Sequence, residues 1–472
     1  MKNKLLLLTI LVLALVVRWY KIDDPLADWH SWRQADTASV TREFIKQGMN
    51  PLVPRFQDLS SFPSEIFNDQ GYRMVEFPLY NIPHALLAQN FTFWSIAKWG
   101  RVLSISFSLA SIVFLYLIAN RLSGRRVAIL TAIYMAILPF NVFYSRTVLP
   151  DNLMILLVLM GTHFFLKFLD RPSPSLFLLS SLSLSASLLV KPYAAFFLLP
   201  LFVFALRRFG PRLLLRIETY LFVAITIAPF ILWRDWITNF PAGIPKSGWL
   251  YNLRLIRLRP AWWRWLFAER FGKLIMGYWG IIPFFLGLVL KTKLKEHWFY
   301  HFWIIGILAY FVIFAGGNVT HDYYQFITIP AIAIFLAKGT DFLLRPTKNF
   351  SWPITPLLAA IVIAFALAFS WYEVKGYYQV NNWSIVLAGE KADEIIPPGA
   401  KVIAPYSGDT AFLYQTNRTG WPIVQTSIPD LINRGATHYV SVDYNDLTNQ
   451  VISNPDYQVL EKNDRFVIVK LK

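Results

Sequence analysis

The chain has no cysteine, so disulfides, thiol catalysis and cysteine metal sites are excluded. Charge is scarce as well. Only 15% of the 472 residues are charged, against 56% hydrophobic. That balance excludes a soluble globule, and a mean hydropathy of +0.43 indicates an integral membrane protein. Acidic residues are the scarcest charge, with 28 Asp and Glu against 45 Lys and Arg, a formal net charge of +17. In a membrane protein such an excess implies cytoplasmic anchoring charges and anionic lipid headgroups rather than nucleic acid. No glycine-rich nucleotide loop is present. The histidines lack close metal-ligand spacing except His297 and His301, an i, i+4 pair read as interfacial rather than ligating.

What is present is a series of apolar runs and many aromatics, 18 of them Trp, as expected for belts at both membrane interfaces. The runs extend from Leu5–Tyr20 to Ile354–Ser370 and include Val127–Tyr144, Leu274–Leu290 and Phe326–Ala337. They amount to about eleven spans, several of them short for a crossing of ~20 residues. The N-terminal charged and apolar stretch resembles a signal peptide, but Arg18-Trp19-Tyr20 follows it instead of a cleavage site. It therefore reads as an uncleaved first helix.

With the N-terminus cytoplasmic, alternate connections are basic: Arg121 to Arg126, Lys167 and Arg171, Arg207 to Arg216, Lys291 to Lys295, and Lys338 to Lys348. The expected domains are residues 1–372, a membrane region with a first outer loop at about 21–101, and residues 373–472, a small α/β domain outside the membrane. In the latter, Lys401–Pro405 and His438–Asp443 read as strands, Tyr457–Leu471 as a hairpin and Ser384–Ile396 as a helix.

Chemistry-bearing residues gather in the outer segments. In His30-Ser-Trp-Arg-Gln-Ala-Asp36, Asp36 is expected to open an amphipathic interfacial helix, Asp36–Gln47, ended by Gly48. The plain alternative for Asp36 is a helix cap, and for Asp28 and Glu76 a solvated loop. Arg146 and Asp151 flank a short turn in which Pro150 suits a helix start, as a stabilising pair or as functional groups. Lys191-Pro192 breaks a long apolar run, as a snorkelling turn or as a cation facing an anionic group. The external stretch Arg254-Leu-Ile-Arg257-Leu-Arg259-Pro-Ala-Trp-Trp-Arg264 suits phosphate, either as a lipid patch or as a specific site. His321-Asp322-Tyr323-Tyr324 reads as an oriented histidine or as part of an aromatic belt.

Taken in order, these residues resemble the GT-C membrane glycosyltransferases, in particular the protein O-mannosyltransferase-like group that includes lipid A aminoarabinose transferases. The resemblance is carried by Arg18, Asp36 with Gly48-Met-Asn-Pro51, Glu76-Phe-Pro78-Leu79, Arg101, Tyr144-Ser-Arg146, Pro150-Asp151, Lys191-Pro192 and His321 to Tyr324. It covers most of the membrane region and implies a GT-C fold of about eleven helices with interfacial helices in the first outer loop. It also implies transfer of a sugar from a polyprenyl-phosphate carrier to a protein, lipid or glycan acceptor on the outer side of a bacterial inner membrane. Asp36 is implied as the catalytic carboxylate. Arg146, Lys191, Arg254, Arg257, Arg259 and Arg264 are implied for the carrier phosphate, with Asp28, Glu76, Asp151, His321, Asp322 and Tyr324 in support. Glu76 matches an acidic position that can contact a divalent metal in relatives. Two departures are visible: Thr37 stands where many relatives have a second acid, and Phe77 where a basic residue or His often precedes the proline. Both weaken the case for a metal and for any specific acceptor. A transporter or flippase of lipid-linked sugars is the rival of a different class. It requires polar groups at the membrane midplane, whereas here they cluster at one face.

Overall fold

The computed structural model describes residues 2–296, 298–345 and 354–472. His297 of the His297/His301 pair and Lys348 of the last basic connection lie outside the described residues. The chain divides into two compact units. The first holds Met1–Tyr20, Val102–Trp233 and Ser247–Tyr377; the second holds Lys21–Arg101, Arg234–Lys246 and Tyr378–Lys472.

The first unit is helical because its sequence is a succession of apolar runs. Among the described residues, six helical stretches are long and apolar enough to cross a membrane: Ile96–Leu122, Asp151–Asp170, Pro192–Leu215, Ile217–Asn239, Asp322–Leu343 and one beginning at Ile354. Leu5–Arg18, Pro174–Val190 and Phe299–Ile313 are shorter apolar helices. Other expected spans are broken. Val127–Tyr144 becomes Arg125–Ile137 and Pro139–Tyr144, because Pro139 has no N–H to continue the helical ladder. The carbonyls freed there are taken up by the buried guanidinium of Arg18, which donates to Met135 O and Ala136 O at 2.8 Å each. Its Nε donates to Ser145 Oγ at 2.6 Å. An apolar setting requires that such freed backbone groups find a partner within the protein. Leu274–Leu290 is likewise divided. A π-helix, Trp265–Ile275, ends in a turn with Gly277 and Tyr278 at positive φ, and Ile281–Val289 follows. This last helix packs closely on Ile329–Leu343. A Cβ on Gly339 would stand 1.8 Å from Pro283 O, so only glycine fits.

The second unit contains a five-stranded sheet built from β1 (Lys401–Ile403), β2 (Thr419–Trp421), β3 (Ala436–Ser441), β4 (Gln458–Lys462) and β5 (Val467–Lys470). The order is β2-β1-β3-β5-β4, with β1 parallel to β2 and β3, and β5 antiparallel to β3 and β4. The alternation that marks a strand sorts its side chains between two cores. Val402, Val440 and Ile468 pack with Ile385, Phe412 and Phe466 on one face. Ile403, Tyr439, Val467 and Val469 pack with Trp421 and Leu431 on the other. The helices are capped by side chains: Asn382 for Trp383–Ile395, Asp409 for Thr410–Gln415, Ser427 for Ile428–Asn433 and Asn445 for Asp446–Ser453. The edge at β2 is covered by the first outer loop. Gly420 N donates to Gln57 O at 2.9 Å, and Leu59 N donates to Gly420 O at 2.8 Å. The loop 21–101 is thus built into the same unit as the sheet.

Candidate functional site

In the second unit, the helix that carries Asp36 runs from Ser31 to Gln47. This corrects the expected start at Asp36. His30 is the N-cap, in a left-handed conformation, and the good helix formers Arg33, Gln34 and Ala35 carry the helix back to Ser31. Asp36 is therefore an interior residue and not a cap. The helix is also not the amphipathic surface element expected, because its buried positions include Arg33, Gln34, Asp36, Thr37, Thr41 and Glu43. Gly48, at φ 91, ends it as expected.

Asp36 is 4% exposed, and each of its oxygens has a donor. Arg73 Nη2 donates to Oδ2 at 2.7 Å, and Thr410 Oγ1 donates to Oδ1 at 2.7 Å. Arg33 Nη2 in turn donates to Glu76 Oε1. The sequence contains Arg33-Gln-Ala-Asp36 and Arg73-Met-Val-Glu76, two Arg-x-x-acid repeats, and each arginine crosses to the acid of the other repeat. That spacing was the available signal for Arg33 and Arg73, which the sequence reading missed. Thr410 carried no such signal, since it lies 374 residues away in sequence. Asp28 accepts from Gln34 Nε2 at 2.6 Å and from Arg101 Nη2 at 3.3 Å. Arg101 also donates to Ile22 O and Pro25 O, so Asp28 belongs to a clasp on residues 22–28. His84, with Nδ1 2.9 Å from Thr41 Oγ1, braces helix Asn81–Asn90 against the Asp36 helix, and burial pushes its pKa down to about 4.

Two further carboxyls feel the charge of Asp36. Burial pushes Asp58 up to about 7, and Asp36 adds to the rise while hydrogen bonds from Ser60 oppose it. Burial likewise pushes Asp409 up to about 6, opposed by the Ala411 N–H and raised further by Asp36. Both carboxyls hold protons more tightly than usual beside a carboxylate that already has two donors.

A divalent metal at Glu76, the best candidate ligand in the sequence, does not fit this donor set. Glu76 faces the Arg33 guanidinium, a fixed cation in the place where a metal would have to sit. Among the described residues, no three His, Asp or Glu side chains gather as a metal site.

In the first unit, Asp151 Oδ2 lies 3.1 Å from Lys191 Nζ, both side chains being buried. Lys191 follows helix Pro174–Val190 and stands over the rings of Tyr193 and Tyr323, 5.8 and 5.7 Å from their centroids. Arg146 is buried and donates to Tyr20 O. Asp322 is 0% exposed. It accepts from the hydroxyls of Tyr144 and Tyr377 and from Arg270 Nη1, the last at 3.3 Å. His321 stacks on Tyr323, and the Tyr324 hydroxyl lies 3.5 Å from that of Tyr193. Arg257 is half-buried, with Nη1 donating to Val312 O at 3.1 Å. Arg254, Arg259 and Arg264 are exposed, and Arg264 lies 3.9 Å from Glu269. Arg270 and Tyr377 were missed as members of this set, and Tyr144 was singled out only within the Tyr144-Ser-Arg146 motif. Arg270 sits in the π-helix, a form of helix frequent at functional sites.

Comparisons with known proteins agree with this architecture. Residues 85–234 match the family model described as dolichyl-phosphate-mannose-protein mannosyltransferase. The fold is similar to that of ArnT from Cupriavidus metallidurans in the apo state, with a TM-score of 0.69 at 15% identity, covering 98% of this chain and 97% of that one. It is similar also to ArnT bound to undecaprenyl phosphate, at 0.67 and 13% identity with 98% of each chain covered. The Archaeoglobus fulgidus oligosaccharyltransferase in the apo form gives 0.58 at 11% identity, covering 92% of this chain and 69% of that one. No curated protein matches the chain in sequence. At these identities the structural likeness is one of fold. With the family model, it bears out the resemblance to the protein O-mannosyltransferase-like group of GT-C glycosyltransferases.

Proposed function

We propose, from the premise of a GT-C glycosyltransferase fold, that this protein moves a sugar from a polyprenyl-phosphate carrier to an acceptor on the outer side of a bacterial inner membrane. Asp36 acts as general base. The acceptor hydroxyl or amine gives its proton to Asp36 and attacks the anomeric carbon from the side opposite the phosphate. The bond between that carbon and the phosphate oxygen breaks, the phosphate leaves with the electron pair, and the configuration inverts. A phosphate leaving group requires positive charge more than a proton, which Arg146, Lys191 and the Arg254–Arg264 stretch supply. ArnT, whose fold this chain shares, has been seen with undecaprenyl phosphate, which supports a lipid-linked donor. In this reading the chain crosses the membrane about eleven times. The N-terminus is cytoplasmic and residues 373–472 are extracytoplasmic.

The observation that carries the reading is the state of Asp36. A carboxylate offers about four acceptor positions, and two here are taken by Arg73 and Thr410. Those donors fix the carboxylate and leave acceptor capacity for the nucleophile. Asp36→Asn should abolish transfer by purified protein while leaving it folded. Transfer by that variant at the wild-type rate would remove Asp36 from the mechanism.

A further inference from the structure

We propose that the second unit carries a recognition subsite for a neutral sugar residue, centred on Glu43. The proposal deepens the transfer reading and rests on it for its purpose, but not for its test. Glu43 lies near the C-terminal end of helix Ser31–Gln47 and is only 3% exposed. A carboxylate is unfavourable at that end, where the helix dipole is already negative. Its Oε2 accepts from Gln47 Nε2, and Gln47 Oε1 accepts from Arg55 Nη1 at 3.0 Å. Oε1 of Glu43 is buried and has no hydrogen-bond partner among the described residues. The nearby cation does not serve it, since Lys46 Nζ donates to Asn417 O and Oδ1 at 2.9 and 3.0 Å. A buried carboxylate oxygen left without a donor is costly, and a donor bound in the adjoining cavity would offset that cost once the Glu43 side chain turns toward it.

Glu43 lines a cavity of about 200 Å³, together with Phe44, Gln47, Asn50, Val53 and Arg55. Gly48 also borders it, and a Cβ there would meet nothing within 4 Å, so this side is open. The lining offers a carboxylate, two amides, a guanidinium and an aromatic ring. Such a set can accept from one hydroxyl and donate to the next, as vicinal diols require. Glu43 and Arg55 cancel in formal charge, which favours a neutral polyol over a free ammonium or phosphate. The cavity lies on the helix that carries Asp36, which suits recognition of a glycan by the proposed transferase.

The test uses full-length protein in neutral detergent with methyl α-mannopyranoside, methyl β-glucopyranoside and methyl β-galactopyranoside as probes, followed by saturation-transfer NMR. Wild type and Asp36→Asn should both bind at least one glycoside. Glu43→Gln should weaken that binding roughly tenfold or more. Val53→Trp, which fills the cavity and leaves every polar residue of its lining unsubstituted, should abolish it at an unchanged melting temperature. Methylammonium should not compete. Binding that is absent from wild type, undiminished from wild type in the Glu43 and Val53 variants, or displaced by methylammonium would overturn the subsite. Because binding is read in Asp36→Asn as well, the subsite can stand if the catalytic assignment fails, and the reverse also holds.

Discussion

The two units treat their buried aspartates differently. Asp36, in the second unit, has one donor on each oxygen, Thr410 and Arg73. Asp322, in the first, is fully buried and takes two tyrosine hydroxyls and an arginine. A carboxylate enclosed by three donors chiefly holds elements together, whereas one fixed by two keeps more capacity to take a proton in a reaction. Under the proposed mechanism, the contrast supports a positioning role for Asp322 and the reactive role for Asp36.

The largest effect that can break this assignment is on turnover. Asp36→Asn should bring transfer down to background, a loss of at least the ~10²- to 10⁴-fold that a general base contributes, with little change in melting temperature. If Asp322→Asn did the same without destabilising the protein, the two roles would have to be exchanged. The next effect is on stability. Asp322→Ala leaves Arg270 without its carboxylate and should cost about 3–5 kcal/mol, read from denaturation of the purified protein. Thr410→Val should lower kcat about tenfold at nearly constant KM, because it removes one hydrogen bond to a charged group. A change confined to KM would show that Thr410 does not act through Asp36.

The smallest effect concerns pH. The folded pKa of Asp58 is pushed up to about 7, far above that of an unfolded aspartate. Between those values the folded state binds more protons than the unfolded one, so stability falls as pH rises through this window. Asp58→Asn should flatten the fall in melting temperature between about pH 4 and 7 relative to wild type. Asp409, pushed up to about 6, contributes in the same direction over a narrower range. A wild-type melting temperature that rises across the window would contradict the burial argument for both groups.

The helical character of the first unit was legible because apolar runs need no partner to be recognised. Their breaks were less so. Lys191-Pro192 announced itself, and Pro139 marked its own break, but the guanidinium of Arg18 that takes up the freed carbonyls comes from more than a hundred residues earlier in the chain. Asp36 was legible from its place in a family-like order of motifs, although its helix was started five residues late, because the capping preference of aspartate outweighed the helix-forming residues before it. The local repeats ending in Asp36 and Glu76 contained the answer for Arg33 and Arg73, but the crossing of partners is a tertiary fact. Thr410 lay beyond reach for the same reason. Residues 373–472 looked like a separate module, yet β2 and helix Thr410–Gln415 are bonded to the first outer loop. Long-range pairing of this kind leaves no periodicity in either segment.

The central claim is that a lipid-linked sugar is broken at its phosphate and not merely carried. The most direct test is to incubate purified protein with a panel of polyprenyl-phosphate sugars and a mixed acceptor extract, and to measure release of the free carrier phosphate. The expected result is acceptor-dependent release from at least one donor by wild type and none above background by Asp36→Asn. Movement of intact sugar-lipid across a vesicle bilayer, with no carrier phosphate released from any donor, would contradict it and identify a transporter instead.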